Sequence, residues 1–434
     1  MKLDLKTGPA RVITVAVSSL VFALLVWWIG KAYLATVIGQ KAAVPDLRSA
    51  SNLDPSDATY ALKLGRLYEY SVANAQPEDA LHQLRRAVTL NSYNPQAWLD
   101  LATALEFQGK TKEAALCLRR VDYLAPDIPS FQWSIGNFFL LHGNTDEAFR
   151  HFKIVLEWHM GYDETIYDMA WKSSDDAGKI FQELIPQDAG SELSYLGYLV
   201  STHRLDDADA VWNRLAAGSE NFPPGDASSY IDATIGAHHP GQAYKVWTTL
   251  REKGLIPPTY ESTPENLLEN GDFEEQPLGM GFDWRIAAGG GIFVGLDSSV
   301  YHSASHSLMV QFPGTENFNY HNVYQFVPVL PDHQYRLFAY MKTDGITTDS
   351  GPRMQVWDAY DAAALDKYSN QLLGTSSGWQ PLSIDFKTGR KTRLLAVAIS
   401  RLPSDEFKNK IAGRFWVDDV SLTPEAFPAE TTAQ

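Results

Sequence analysis

Trp357 and Gln355 stand two residues apart in RMQVWDAY, so on a β-strand they share one face. An aromatic plane beside a side-chain amide suits a pyranose ring, the plane covering its C–H surface and the amide meeting its hydroxyls. Tyr360, Tyr320 and Tyr324 are further candidate aromatic surfaces, with Gln325 and Asn319 as further polar partners. A second set of residues is acidic. The stretch ENLLENGDFE, Glu265 to Glu274, carries Asp272 and Glu274, and FWVDDVSL, Phe415 to Leu422, carries Asp418 and Asp419. Such carboxylates either gather as hard oxygen ligands around a cation or accept hydrogen bonds from turn amides and face water. As a hydrolytic pair Asp418 and Asp419 fail, because neighbours on a strand point to opposite faces and glycoside hydrolysis needs two carboxyls flanking one bond.

No other reactive constellation stands out. The sequence has no H-E-x-x-H and no phosphate-binding loop. AAGGGIF, around Gly289 to Gly291, lacks the lysine and following helix of a phosphate cradle. His302 and His306 lie in a turn-rich stretch, and His238-His239 abuts Pro240, each pair without a converging third ligand. The single cysteine, Cys117, excludes an intrachain disulfide framework and a cysteine-based zinc site. A net charge of −16 argues against a broad nucleic-acid surface. The expectation is a chain that binds rather than catalyses.

Two kinds of element position these residues. PQAWLDLATALEFQGKTKEAALCLRRVDYLAPD, from Pro95, aligns with PSFQWSIGNFFLLHGNTDEAFRHFKIVLEWHMG, from Pro129, at a shift of 34 residues. Leu101 pairs with Ile135, Ala102 with Gly136, Leu105 with Phe139, Gly109 with Gly143, Ala114 with Ala148, Leu118 with Phe152 and Val121 with Val155. An earlier copy holds Leu64-Gly65, Tyr68, Ala80, Leu84 and Ala87. Weaker copies hold Leu196-Gly197 with Ala208 and Trp212, and Tyr230-Ile231 with Ala243 and Trp247. Residues 55–254 thus resemble the tetratricopeptide repeat family, whose helical hairpins stack because none buries its apolar face alone. The resemblance implies a groove for protein partners, with polar first-helix residues such as Asp100, Asn137 or Asp168 lining it.

After the proline-broken connector 255–264 the period changes from about 3.6 to 2. SLMVQF, VYQFVPV, YRLFAYMKT, RMQVWDAY, LSIDFKT, LLAVAIS and FWVDDVSL read as strands of an antiparallel sandwich. The frame from Asn266 to Glu274, then Trp284, Ser307-Leu308, Gln325, Tyr335, Trp379 and the closing FWVDDVSL, resembles the family 4/9-type carbohydrate-binding module, a β-jelly roll, over residues 265–423. That resemblance implies a structural calcium held by Glu274 and Asp418, with Asp272 beside them, and reads Trp284, Trp379 and Trp416 as core.

The N-terminal run Val12 to Ile29 carries no charge and approaches the ~20 residues that cross a bilayer. Trp27 and Trp28 sit where an interfacial belt would lie, and Lys2, Lys6 and Arg11 precede the run. The expected organisation is a cytoplasmic N-terminus (1–11), an uncleaved transmembrane anchor (12–38), a linker (39–54), the α-α superhelical repeats, the connector, the jelly roll and a disordered tail (424–434). The expected protein is a membrane-tethered scaffold outside the cytoplasm, holding protein partners on its repeats and polysaccharide on its sandwich. A lectin-like module with the repeats as spacer, and an uncharacterised carbohydrate-active enzyme, are the alternatives.

Overall fold

The computed structural model describes residues 8–41, 43–71, 75–287 and 289–425. Lys2, Lys6 and residues 426–434 of the expected tail lie outside the described residues. The chain forms two compact units, Met1–Pro186 and Gln187–Gln434.

The first unit opens with a 32-residue helix, α1 (Gly8–Gly39), and a short helix α2 (Val44–Leu53) inside the stretch expected as linker. Three helical hairpins follow: α3 (Ala58–Tyr70) with α4 (Pro77–Leu90), α5 (Pro95–Phe107) with α6 (Thr111–Leu124), and α7 (Pro129–Leu141) with α8 (Thr145–Glu157). The helices α9 (Asp163–Ser173) and α10 (Ala177–Lys179) complete the unit, and one π-helical stretch (Ile180–Leu184) continues α10. Local chemistry sets the hairpin boundaries. Pro95 occupies the first turn of α5, where its missing N–H costs nothing, and the Asn94 carboxamide accepts from the Gln96 and Ala97 amides. Small residues, Ala97, Ala102, Ala114 and Ala148, are buried where helices meet, and Leu101, Leu105, Leu118 and Ile135 fill the space between them.

The second unit joins two further hairpins to the sandwich. These are α11 (Ala189–Ser201) with α12 (Leu205–Ala217) and α13 (Ser228–Gly236) with α14 (Pro240–Glu252). Among the described residues, ten strands then make two five-stranded antiparallel sheets, the jelly roll that the period-2 pattern announces. One sheet contains β1 (Arg285–Ile286), β4 (Tyr320–Pro328), β9 (Leu394–Arg401), β6 (Arg353–Asp358) and β7 (Asp366–Tyr368), in that spatial order. The other contains β2 (Phe293–Asp297), β3 (Ser307–Pro313), β10 (Ala412–Pro424), β5 (Gln334–Asp344) and β8 (Gln380–Lys387). Val310, Val323, Val327, Leu337, Val356, Leu395, Val397 and Val417 fill the space between them.

The last hairpin is fastened to the sandwich by polar contacts. Trp247 Nε1 of α14 donates to Glu269 Oε2 at 2.7 Å, and Arg285 Nη2 of β1 lies 2.6 Å from Asp232 Oδ1 of α13. The connector is held down as well: the Tyr260 hydroxyl donates to the Gln276 carbonyl at 2.6 Å, and Arg251 Nη1 donates to the Tyr260 carbonyl at 2.7 Å. The compact unit that holds the sandwich begins at Gln187 and so includes the two hairpins that precede it.

Candidate functional site

The two acidic stretches meet. Asn266 to Gly271 forms no regular strand, yet it lies against the end of β10: the Leu267 amide donates to the Leu422 carbonyl at 2.9 Å and the Val420 amide to the Gly271 carbonyl at 2.8 Å. This brings Glu274 and Asp418 to the loop before β3. Glu274 accepts from the Ser305 amide (2.8 Å), the Ser305 hydroxyl (2.5 Å) and the His306 amide (2.7 Å). Asp418 Oδ2 accepts from the His302 and Ser303 amides at 2.7 and 3.1 Å, and its Oδ1 from the Asp419 amide at 2.8 Å. Ala304, with φ 51°, lets the loop turn tightly enough to present these amides.

One geometric expectation needs correction. Asp418 and Asp419 do not point to opposite faces, because β10 changes register between Asp418 and Ser421 and Asp419 has φ 50°. Both acids therefore reach the same loop, Asp419 through His302 Nδ1 at 2.5 Å and the Ser303 hydroxyl at 2.6 Å. Asp272 turns away: it is exposed and lines a cleft of about 450 Å³ with Asn266, Tyr340 and Asp419. As a calcium cage the three expected ligands do not fit in this arrangement. The oxygens of Glu274 and Asp418 face N–H and O–H donors, whose positive ends occupy the positions a cation would need. Among the described residues no cluster of three or more His, Cys, Asp or Glu side chains could hold a metal ion.

The electrostatics of Glu274 can be tested. Burial pushes its carboxyl up, but the donors from Ser305 and His306 outweigh it and bring the group down to about 2. A depressed folded value means stability that is complete above the ordinary value near 4.5 and is lost as pH falls towards 2. Glu274→Gln is expected to lower the melting temperature at pH 7 by several degrees and to flatten its fall over that acid window. Thermal scans with calcium at about 5 mM, above the weakest ordinary affinities, check the alternative. A calcium-induced rise in native melting temperature that Glu274→Gln abolishes would mean that a cation displaces the amides.

The candidate sugar contacts divide. On the outer face of the sheet containing β9, Trp357 of β6 and Phe326 of β4 flank Ala396, while Gln355 of β6 and Tyr324 of β4 flank Ala398. Strand alternation explains the band, since Met354 and Val356 of β6 point into the core and leave Gln355 and Trp357 outside. Ala396 and Ala398 are fully buried beneath these flanking side chains, which are themselves half-buried. Gln355 Nε2 donates to Asp366 Oδ1 at 2.9 Å and to the Tyr368 hydroxyl at 2.8 Å, so β7 extends the polar edge. Arg285 lies over the Phe326 ring, 5.2 Å from its centroid.

The other four candidates sit elsewhere. Tyr320 is 1% exposed in the sandwich core, and burial pushes its hydroxyl up. Gln325 is fully buried, its carboxamide bonded to the backbone N–H and C=O of Glu269 at 3.0 and 2.9 Å. Neither can meet a ligand on the surface. The Tyr360 hydroxyl donates to the Ile235 carbonyl at 2.9 Å, its ring stacks on His238 at 4.1 Å, and burial, aided by Asp358, pushes it up to about 12. It fastens α13 to the sandwich. Asn319 is exposed immediately before β4. Sequence reasoning missed Phe326, Asp366 and Tyr368. Alternation from Tyr324 marks Phe326, whereas β7 is three residues long and carries no readable period. Trp379, expected as core, is half-buried with its ring edge-on to His302 at 5.7 Å, and His302 stacks on Tyr340 at 3.7 Å.

In the first unit, Asp100 is buried and bound by Arg66 at 2.5 Å and by Gln96 at 2.8 Å. Asn137 donates to the Trp133 carbonyl at 2.8 Å, and Asp168 pairs loosely with Lys172 at 3.9 Å. Beside Arg66 and Asp100, a cavity of about 430 Å³ lined by Leu47, Lys63, Arg66, Leu67 and Tyr70 and one of about 230 Å³ lined by Tyr70, Gln96, Asp100, Thr103 and Phe138 share Tyr70. The first helices of all three hairpins end in a large exposed apolar residue: Tyr70, Phe107 and Leu141.

No protein-family model and no curated protein matches the sequence. Several solved structures share partial likeness. One is the enzymatically active domain of bacteriophage CBA120 tailspike protein 4, at 14% identity and TM-score 0.28 over 38% of this chain and 22% of that one. Another is MamA, at 16% identity and TM-score 0.28 over 54% of this chain and 97% of that one. A third is the CBM22-2 xylan-binding domain of Paenibacillus barcinonensis Xyn10C, at 14% identity and TM-score 0.25 over 37% and 98%. The chain spans less than a third of the tailspike's length, and its architecture stands on its own helices and strands.

Proposed function

We propose that this protein is a non-enzymatic, membrane-anchored adaptor whose helical hairpins hold protein partners and whose sandwich takes a polysaccharide chain outside the cytoplasm. Building or exporting an envelope polysaccharide is the process that combination suits. The observation that carries the reading is the outer band of the sheet, where Trp357, Phe326, Tyr324 and Gln355 flank Ala396 and Ala398 in register. Aromatic planes at adjacent strand positions offer successive stacking surfaces to a linear glycan, and Gln355 with Asp366 offers hydroxyl partners. The paired cavities around Tyr70 and the repeated exposed residues Tyr70, Phe107 and Leu141 support the protein-binding half. Helix α1 supports the anchor, being long and apolar enough to cross a bilayer from Arg11 to Gly39.

Affinity electrophoresis against a panel of soluble polysaccharides tests the sandwich. The expected result is retention by at least one polymer that falls by about tenfold in Trp357→Ala, roughly the loss of one good stacking contact. The melting temperature should stay within a few degrees, because Trp357 faces outward. Retention that Trp357→Ala and Tyr324→Ala both leave intact would put the glycan elsewhere or nowhere.

A further inference from the structure

Helix α1 has two different surfaces along its length. From Val12 to Ile29 its side chains are exposed all round, Leu20 and Phe22 by 62% and 69%, as a helix in lipid requires. Six residues on, the same unbroken helix is part of a protein core. Ala35 is 0% exposed and belongs to a cluster with Leu47 and Ala50 of α2, Tyr60, Leu64 and Tyr68 of α3, and Ala80 of α4, with Ile38 packed against it. Gly39 touches the same wall: a Cβ there would lie 2.6 Å from the Tyr60 ring and 3.4 Å from the Ala50 Cβ. On the other side of these turns Tyr33, Leu34 and Val37 stay exposed.

The anchor is therefore more than a leash. Resting on the membrane reading above, we infer that the last two turns of α1 are a structural wall of the first hairpin. Mature protein keeps the helix, and the hairpin stands directly on the lipid headgroup layer. Six residues separate Ile29 from Ala35, a rise of about 9 Å at about 1.5 Å per residue. A headgroup layer is about 5–7 Å thick on each side of the hydrocarbon. The first packed position thus falls at the outer edge of the headgroups, with no free chain between bilayer and fold. Lys31, two residues past Ile29, falls within the headgroup layer, with the charge that suits phosphate groups. Removal of α1 by a leader peptidase at any bond from Ile29 to Lys41 would strip Ala35 or the chain leading to it and expose the Tyr60 and Ala50 surfaces.

The test uses the full chain purified from membranes. Peptide mapping is expected to recover residues 12–41 intact; a mature N-terminus between Ile29 and Lys41 would overturn the inference. Ala35→Leu and Gly39→Leu are each expected to lower the melting temperature by more than about 5 °C, a shift that ~1 kcal/mol produces in a small unit. Leu34→Ala and Val37→Ala, on the exposed side, should leave it unchanged. Equal melting temperatures for all four variants would show the turns to be a leash. A fluorophore at position 41 should be quenched by headgroup-labelled lipid in vesicles containing phosphatidylglycerol, and one at position 107 should not; absence of quenching at 41 refutes the docking. An intact chain that partitions into the soluble fraction would instead sink the membrane reading, while leaving the packing of Ala35 and Gly39 as found.

Discussion

Gly271→Ala is expected to prevent the sandwich from folding. A Cβ at this position would lie 2.0 Å from the Val420 carbonyl oxygen and 3.1 Å from its carbon, closer than any real side chain comes to a backbone. Val420 cannot withdraw. Its amide donates to the Gly271 carbonyl at 2.8 Å, its side chain is 1% exposed in the core, and it lies within the register change that brings Asp418 and Asp419 to the loop before β3. Asn270 and Phe273, with φ 48° and 52°, hold the opening segment in place from either side. A single methyl group would therefore separate the opening segment from β10 along with their paired bonds. The loss should exceed about 4 kcal/mol, the range reserved for forced backbone displacement and major core damage. Asp272→Ala, one residue on and exposed, should stay within about 0.5 kcal/mol. Urea titrations followed by tryptophan fluorescence separate the two, with Trp284 among the buried reporters in the sandwich. A Gly271→Ala midpoint close to native would show that the two segments can part at little cost.

That glycine also marks the limit of what the sequence discloses. Asn270-Gly271 reads as a turn, and the local residue types support nothing else. The true requirement is long-range, because a strand about 150 residues later passes where a side chain would be. The architecture itself was legible, since helical spacing with a 34-residue shift and period-2 alternation are properties of neighbouring residues. Trp357, Gln355 and Tyr324 were legible as a surface for the same reason. Tyr320 and Gln325 were not distinguishable from them. Each looks like a sugar contact until the register places Tyr320 in the core and Gln325 against the Glu269 backbone. Nor could alternation place Asp418 and Asp419, because a bulge cancels the rule at that one point. The joint between α14 and the sandwich left no sequence signal at all: Trp247 and Glu269 each look ordinary, one a repeat residue and the other an acid in the opening frame of the sandwich.

That joint should make the second unit least stable in mild alkali. Glu269 is 2% exposed and Asp283 fully buried, and each keeps one carboxyl oxygen without a hydrogen-bond partner. Burial pushes Glu269 up to about 8; the Trp247 N–H and the Arg251 guanidinium, 3.7 Å away, oppose it, and Asp283 and Glu261 add to it. Burial likewise pushes Asp283 up to about 7 against donors from Leu278, Trp284 and Asn270. Both folded values are raised, so the stabilisation is complete below the ordinary carboxylate range and is lost as pH climbs through 7 and 8. With about 1.4 kcal/mol for each unit of displacement, the loss from pH 5 to pH 8.5 should be on the order of 3–6 kcal/mol. Glu269→Gln preserves an acceptor for Trp247 Nε1 and removes the charge. It should match the native protein at pH 5, exceed it at pH 8.5 and flatten the slope between. Glu269→Ala should be weaker than both at pH 5, since it orphans the buried Trp247 donor at a cost of about 1–3 kcal/mol. Urea midpoints of the three proteins at the two pH values decide the matter. If native stability is level from pH 5 to 8.5 and Glu269→Gln changes nothing, these acids ionise in place and the joint is wetter than its packing implies.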